Sequence, residues 1–405
     1  MSQLQGLIGL AAILGLAVVA SSDRSRIPWR TVVLGLALQV GFALLVLRFG
    51  PGRDALDFVA GQVAALVAYA EEGTTFVFGR LTEGEGGVFA FQVLPVIVFL
   101  GALIGMLYYL RVIQLFVHYL GGAIAWALRT SRLESVYAAT VIFLGQTEAP
   151  LLISPYLQRL TRSELFAVMT AGFAAVAGST LVGYALLGAP LEYLLAASLM
   201  NAPGALLMAK IMLPETEAET EATAGSVRDV RDEESANVID ATGRGALAGG
   251  RIAAIVAAML IAFVSLIAMA NGVLGGVGGW LGDDTLSFEK ILGYAFAPVA
   301  WAIGVPWGEA QEAGNLIGLK TVLNEFVAFA ELGKQVDQLS EKTVLVSTFA
   351  LAGFANFASI AIQIGTLGGL APERRAEVAQ LGLKALLAGS LVNLSNAAIA
   401  GVVAG

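Results

Sequence analysis

Two acids sit inside long apolar stretches of the chain, and each belongs to a short polar run. Gln146-Thr147-Glu148 follows Gly145 and precedes Pro150, interrupting residues 137–157. Asn324-Glu325, with Lys320 a turn earlier, interrupts residues 313–330. A third polar pair, Asn356 and Ser359, lies in Phe354-Ala355-Asn356-Phe357-Ala358-Ser359. An acid in an apolar stretch is costly and by default marks a path for a substrate or an ion. The set combines amide donors and acceptors, hydroxyls and carboxylates. That mixture suits a neutral solute with many hydroxyls, and the rings of Phe354 and Phe357 could cover a flat heterocycle. Lys320 is the sole cation beside the acids, so an anionic substrate is not expected. The competing reading is structural: such groups can pair with one another and fasten helices together. For Asn356 and Ser359 alone the two readings weigh equally; for the whole set, binding is favoured.

The elements that must position these groups are membrane helices. The 405 residues are 57% hydrophobic and only 13% charged, against about 25% charged in an ordinary soluble domain. Such a chain lacks the polar surface to cover a soluble core. Its 48 glycines fit helices that approach closely in a bilayer. A span needs about 20 mostly apolar residues, and eight segments qualify: 4–20, 31–47, 91–110, 165–187, 191–213, 251–270, 344–364 and 379–403. The first begins without a basic stretch and reads as a retained span rather than a signal peptide. Residues 57–78, interrupted by Glu71 and Glu72, and 291–307, with Pro298 and Pro306, are apolar but awkward. Residues 111–128, with three aromatics and His118, suit an interfacial helix. The runs broken at Gln146 and Glu325 imply irregular backbone at membrane depth, which is tolerated only inside protein or along a cavity.

Polar stretches divide the chain. Residues 214–250 carry Glu215, Glu217, Glu219, Glu221, Asp229, Asp232, Glu233, Glu234 and Asp240 and are expected to form an acidic solvent loop. A glycine-rich connection is expected over 272–290. The organisation read from this is 1–132, N-terminal helices and interfacial segments; 133–213, the first half of a core; 214–250, the loop; 251–311, a connecting helix and interfacial segment; and 312–405, the second half. The halves echo each other. Gln146-Thr147-Glu148 precedes a span with Gly172-Phe173-Ala174, and Asn324-Glu325 precedes one with Gly353-Phe354-Ala355; one further long helix follows each. Paired interrupted segments in corresponding places point to a transporter's binding site. Arg24, Arg26 and Arg30 place the first loop in the cytoplasm, although Arg48 and Arg53 then fall outside.

Other functions are disfavoured. A net charge of −8 gives no basic footprint for nucleic acid. The chain has no Cys and one His, so thiolate chemistry is excluded and imidazole metal sites have little scope. No nucleophile–base pair suggests an enzyme, and no cofactor is expected. His118, beside aromatics, reads as a packing residue. Broken helices with central acids suit alternating access better than a channel.

Several ordered motifs carry a family resemblance. Gly145-Gln146-Thr147-Glu148-Ala149-Pro150-Leu151, Leu323-Asn324-Glu325-Phe326-Val327-Ala328-Phe329 and Gly353-Phe354-Ala355-Asn356-Phe357 resemble hallmarks of the concentrative nucleoside transporters. Ser198-Leu199-Met200-Asn201-Ala202-Pro203 and Gly382-Leu383-Lys384-Ala385-Leu386 are similar too. The likeness covers most of the chain and is strongest from about residue 134 onward. It implies an all-α polytopic protein of the inner (cytoplasmic) membrane, with eight transmembrane helices, interfacial helices, two re-entrant hairpins and an inverted-repeat core, assembled as a homotrimer. It implies that Gln146, Thr147 and Glu148 lie in the first hairpin and face a nucleobase, that Glu325 in the second hairpin and Asn356 and Ser359, at a discontinuity of the following helix, face ribose, and that Phe354 lines the same cavity. A carboxylate accepting from sugar hydroxyls makes charge-assisted hydrogen bonds.

The sodium site of the family carries over less well. Where sodium-coupled relatives are expected to have an Asn, this chain has Val141, and where they have a Ser it has Ala175. Backbone carbonyls near Val141, Leu144, Ala175 and Val176 would remain, but two side-chain oxygens are missing. Proton coupling is therefore expected, with Glu148 as the candidate proton carrier, since removal from water favours the protonated form of an acid. The alternatives are a sodium-coupled nucleoside symporter and a secondary transporter of another small polar solute.

Overall fold

The computed structural model describes residues 2–82, 89–217, 235–281 and 285–404, and among them there is no β-strand. The first helices are α1 (Ser2–Val19), α2 (Trp29–Leu47), α3 (Gly50–Phe78), α4 (Phe89–Gln92), α5 (Leu94–Tyr109) and α6 (Val112–Leu128). Next come α7 (Arg132–Thr140), α8 (Ala149–Leu152), α9 (Arg162–Ala174), α10 (Gly178–Leu186) and α11 (Leu191–Met212). The long α12 (Val238–Leu281) leads to α13 (Phe288–Ala302). The chain closes with α14 (Ala310–Val322), α15 (Glu325–Gln335), α16 (Glu341–Leu351), α17 (Phe357–Leu370) and α18 (Arg375–Ala404).

Among the described residues, six segments are long and apolar enough to cross a membrane: 29–47, 90–109, 162–186, 191–212, 238–280 and 372–404. Burial separates core from periphery. In 162–186 and 191–212 nearly all of the most apolar stretch is buried, against about a tenth in 238–280. The core is thus α9, α10 and α11, with α18 packed on α9 and α11 and also touching α1, α16 and α17. At 44 residues, α12 is about 66 Å long, roughly twice the thickness of a hydrocarbon core. Most of it runs along the outside, with Ile261, Val264, Met269, Val273 and Trp280 exposed.

The expected boundaries change in four places. The loop expected over 214–250 ends early, because α12 begins at Val238. Residues 238–250 are helical because Gly245 and Gly249 lie against Gly101 and Gly105 of α5. A methyl group on Gly245 would sit 2.3 Å from the Gly101 carbonyl oxygen, and one on Gly105 would sit 2.6 Å from that of Ala241. Two small-xxx-small rows bring these backbones together. The acids of that loop from Glu219 to Glu234 lie outside the described residues. The glycine-rich connection expected over 272–290 is helical as far as Leu281; a helix tolerates glycine at a cost of about 1 kcal/mol each. Residues 57–78 are not interrupted: Glu71 and Glu72 lie on the exposed side of a continuous α3. Finally, the span expected over 165–187 is broken at 175–177; that over 344–364 is broken at 352–356, where the resemblance implies a discontinuity at Asn356 and Ser359.

The same series occurs twice: helix, break with an acid, short helix, broken helix, long helix. It runs α7, α8, α9–α10, α11, and again α14, α15, α16–α17, α18. Local capping sets the starts. Ser131 and Thr161 form capping boxes with Glu134 and Glu164 at the heads of α7 and α9, satisfying amides that would otherwise be orphaned. Lys210, in the last turn of α11, pairs with Glu134 at 2.9 Å and donates to Ser163 at 3.1 Å. One buried ammonium thereby ties the starts of α7 and α9 to the end of α11. His118 lies 3.3 Å from the Arg132 guanidinium and edge-on to Tyr119, consistent with packing.

Candidate functional site

Four breaks converge on one cavity. The first is the turn at 145–148, where the Gly145 carbonyl accepts from the N–H groups of Glu148 (3.2 Å) and Ala149 (3.0 Å). Pro150 then lies in the first turn of α8, where its missing N–H costs nothing. The second is the extended segment between α9 and α10. The third ends at Asn324, whose side chain accepts from Val327 N–H at 3.0 Å and so caps α15. The fourth ends at Asn356, whose side chain accepts from Ser359 N–H at 2.9 Å and caps α17. Asparagine is a strong N-cap, and each of these caps fixes the residue after it at a helix head.

The cavity has a volume of about 160 Å³. All seven residues expected at the site line it: Gln146, Thr147, Glu148, Glu325, Phe354, Asn356 and Ser359. Glu325 is 4% exposed. Its Oε1 accepts from the Tyr184 hydroxyl at 3.0 Å, and its Oε2 accepts from the Asn356 amide at 3.0 Å. Gln146 donates to the Ser359 hydroxyl at 2.9 Å and accepts from Gln363 at 3.3 Å. Gln363 also donates to the Met169 carbonyl at 3.0 Å. Hydrogen bonds therefore cross the cavity between the two halves of the chain at two levels. Thr147 is exposed and Glu148 half-buried.

A larger cavity, about 650 Å³, adjoins the first between α5, α12 and the 145–148 turn. Gly145, Glu148, Ser179 and Ile252 belong to both walls. Glu148 thus borders both spaces, whereas Glu325 borders only the smaller. Phe357, offered above as a second ring, is half exposed and does not line the smaller cavity.

Several contributors escaped the sequence reading. Tyr184 and Gln363 hydrogen-bond residues of the site, and Ile252, Ile255, Val256 and Met259 of α12 form an apolar wall. Behind the cavity, Lys320 donates to the Ala350 carbonyl (2.8 Å) and to Asn393 Oδ1 (2.7 Å). Asn393 Nδ2 lies 2.9 Å from the carbonyls of both Ala174 and Ala352, and Asn201 donates to Ala352 at 3.0 Å. These are carbonyls freed where α9 and α16 stop, and buried carbonyls require partners. Lys320 therefore faces the helix breaks. The interruption expected over Lys320, Asn324 and Glu325 falls at Leu323 and Asn324, with Lys320 still inside α14.

Val141, Leu144, Ala175 and Val176 are all buried. The Ala175 carbonyl accepts from the Phe354 N–H at 3.1 Å, so one oxygen considered for a cation is engaged by backbone.

Residues 193–401 match the family described as Na+ dependent nucleoside transporter C-terminus. Residues 8–81 match the corresponding N-terminus, and residues 90–191 match a nucleoside recognition (Gate) domain. The transporter YutK of Bacillus subtilis (strain 168) is 52% identical over 99% of this chain and 100% of its own length. The chain belongs to the concentrative nucleoside transporter family. Nucleoside permease NupC of Helicobacter pylori (strain ATCC 700392 / 26695), another relative, is 45% identical over 100% of this chain and 98% of its own. Among solved structures, CNTnw in an inward-facing substrate-bound state superposes with a TM-score of 0.95 at 48% identity, covering 100% of this chain and 98% of that one. Concentrative nucleoside transporters are membrane transporters rather than enzymes, and the all-helical fold with its several apolar helices agrees with that class.

Proposed function

We propose that this chain carries nucleosides into the cell across the cytoplasmic membrane, with uridine as the reference substrate and protons as the coupling ion. The observation that carries the substrate reading is the single cavity that collects seven polar or aromatic residues expected from separate parts of the sequence. In this reading Gln146, Thr147 and Glu148 address the base, and Glu325, Asn356 and Ser359 address ribose, with Phe354 against the ring system. The eight crossings are α1, α2, α5, α9–α10, α11, α12, α16–α17 and α18. The α7–α8 and α14–α15 segments are the two re-entrant hairpins of an inverted repeat, and α6 is interfacial.

Proton coupling rests on two observations. The side chains at Val141 and Ala175 offer no oxygen, and a hard cation needs several oxygen ligands to replace its water. Glu148 borders both cavities, so a proton carried there has access to each. Sodium coupling is the second reading. It is favoured by the family's description and would rely on backbone carbonyls, as at other broken-helix ion sites. Uridine uptake into proteoliposomes separates them, with an inward proton gradient, an inward sodium gradient or neither, and with voltage clamped by potassium and valinomycin. The expected result is accumulation with the proton gradient and no effect of sodium. Sodium-dependent accumulation at constant pH would overturn it, and equal non-accumulating uptake in all three would indicate a uniporter.

The assembly proposed is a homotrimer in which each protomer has its own path. It is supported by the family resemblance and by the exposed apolar face of α12, which needs either lipid or another copy against it. Native mass measurement in mild detergent is expected to find three copies. A monomer with full uptake activity would count against trimerisation as a requirement.

A further inference from the structure

The carboxylate of Glu325 is held from behind by a residue outside the cavity wall. Tyr184 lies on α10, in the first half of the core, and is fully buried. Its hydroxyl donates to Glu325 Oε1 at 3.0 Å. Its ring stacks on Phe329 with centroids 4.5 Å apart and an interplanar angle of 21°, and meets Phe326 at 4.7 Å and 66°. Both phenylalanines belong to α15, the helix that Glu325 opens. The ring is therefore clamped by the same helix whose first side chain its hydroxyl holds, and the phenol has no room to swing away. On the other oxygen, Asn356 donates at 3.0 Å while its own Oδ1 caps α17.

A carboxylate has about four lone-pair positions. Two are occupied by these fixed donors, one on each oxygen, which sets the plane of the group and leaves only the remaining acceptor positions for a ligand. A free carboxylate would turn to follow whatever hydroxyl is offered; a fixed one rewards only hydroxyls in the right places. A ligand lacking one of them would leave a buried acceptor unpaired.

We propose that Tyr184 is a specificity-determining positioning residue for the sugar: by holding Oε1 from outside the cavity it aims the remaining acceptor positions of Glu325 at the ribose hydroxyls. This rests on the nucleoside reading above. Tyr184 touches no solute, so its effect passes entirely through Glu325.

The test is Tyr184→Phe in the full-length protein reconstituted in liposomes, with uptake of uridine and 2′-deoxyuridine measured side by side. Phenylalanine keeps both ring contacts and removes one hydrogen bond to a charged group. The half-saturation concentration for uridine is expected to rise roughly tenfold and the maximal rate to change by less than about twofold, as for lost binding rather than lost turnover. The preference for uridine over 2′-deoxyuridine is expected to shrink by a similar factor. Tyr184→Leu, which removes the ring, is the packing control and should lower folded yield and maximal rate for both solutes alike. An unchanged half-saturation concentration and preference in Tyr184→Phe would overturn the proposal. So would an equal fall in maximal rate for both solutes, the mark of a purely structural role. If the unmodified protein takes up neither solute, the nucleoside reading fails and this inference with it; normal uptake with an indifferent Phe variant removes the inference alone.

Discussion

Uridine uptake by the Glu325→Gln variant is expected to fall roughly 100-fold while the protein still reaches the membrane. The reason lies in what surrounds the carboxylate. Both of its oxygens accept, one from Tyr184 and one from Asn356, each at 3.0 Å. Glutamine has one acceptor oxygen and one amide nitrogen. If the nitrogen faces Asn356, two donors confront each other. If it faces Tyr184, the phenol can only accept, and its own proton loses its partner. A bond to a charged group is worth about 1.5–3 kcal/mol. Loss of the charge also weakens every bond the carboxylate makes to sugar hydroxyls. A cost of about 3 kcal/mol corresponds to roughly 100-fold. The measurement is initial uptake of labelled uridine, normalised to protein in the membrane. Transport within about twofold of the unmodified protein would remove Glu325 from ribose binding, because no rearrangement of an amide reproduces two acceptors.

The second large effect is expected at Gly353, through the backbone. A Cβ there would lie 2.3 Å from Asn393 Oδ1, 2.6 Å from Asn393 Nδ2 and 2.6 Å from the Ala174 carbonyl oxygen. No rotamer relieves all three contacts. The Gly353→Ala variant must push Asn393 away from Ala174, Ala352 and Lys320, or move the 352–356 segment itself. The first course orphans buried carbonyls and an ammonium partner, at about 1–3 kcal/mol for each group. The second displaces Phe354 and Asn356, the residues next along the chain toward the cavity. Both routes lead to a protein with a clearly lower thermal unfolding midpoint in detergent and little uptake. A variant with an unchanged midpoint and unchanged uptake would show that this crossing is not the rigid point the distances describe.

Local chemistry determined the parts of this protein that the sequence made legible. Acids cannot sit cheaply in apolar stretches, so Glu148 and Glu325 stood out without any coordinates, and their polar neighbours came with them. The apolar lengths fixed an all-helical membrane chain, because only helices satisfy their own backbone at that depth among the structures this pattern allows. The ordered motifs identified the family, and seven residues drawn from three separate stretches of the chain meet around one cavity.

The tertiary structure decided what depends on contacts between distant residues. The break at 175–177 lies within an apolar run that reads as an unbroken span, and the one at 352–356 is implied by the family resemblance alone, since its apolar run also reads as continuous. They exist because carbonyls freed there find Asn393, Asn201 and Lys320 from other helices, and no local pattern announces a distant asparagine. Residues 238–250 have loop-like composition yet are helical, because two glycine rows, meaningful only as a pair, bring α12 against α5. Tyr184 is an ordinary tyrosine in its own helix; its relation to Glu325, 141 positions away, exists only once α10 and α15 have packed. A side chain's type and its neighbours in sequence fix what it can bond to, whereas the partner it actually has is fixed by which helix surfaces the whole chain can bury together.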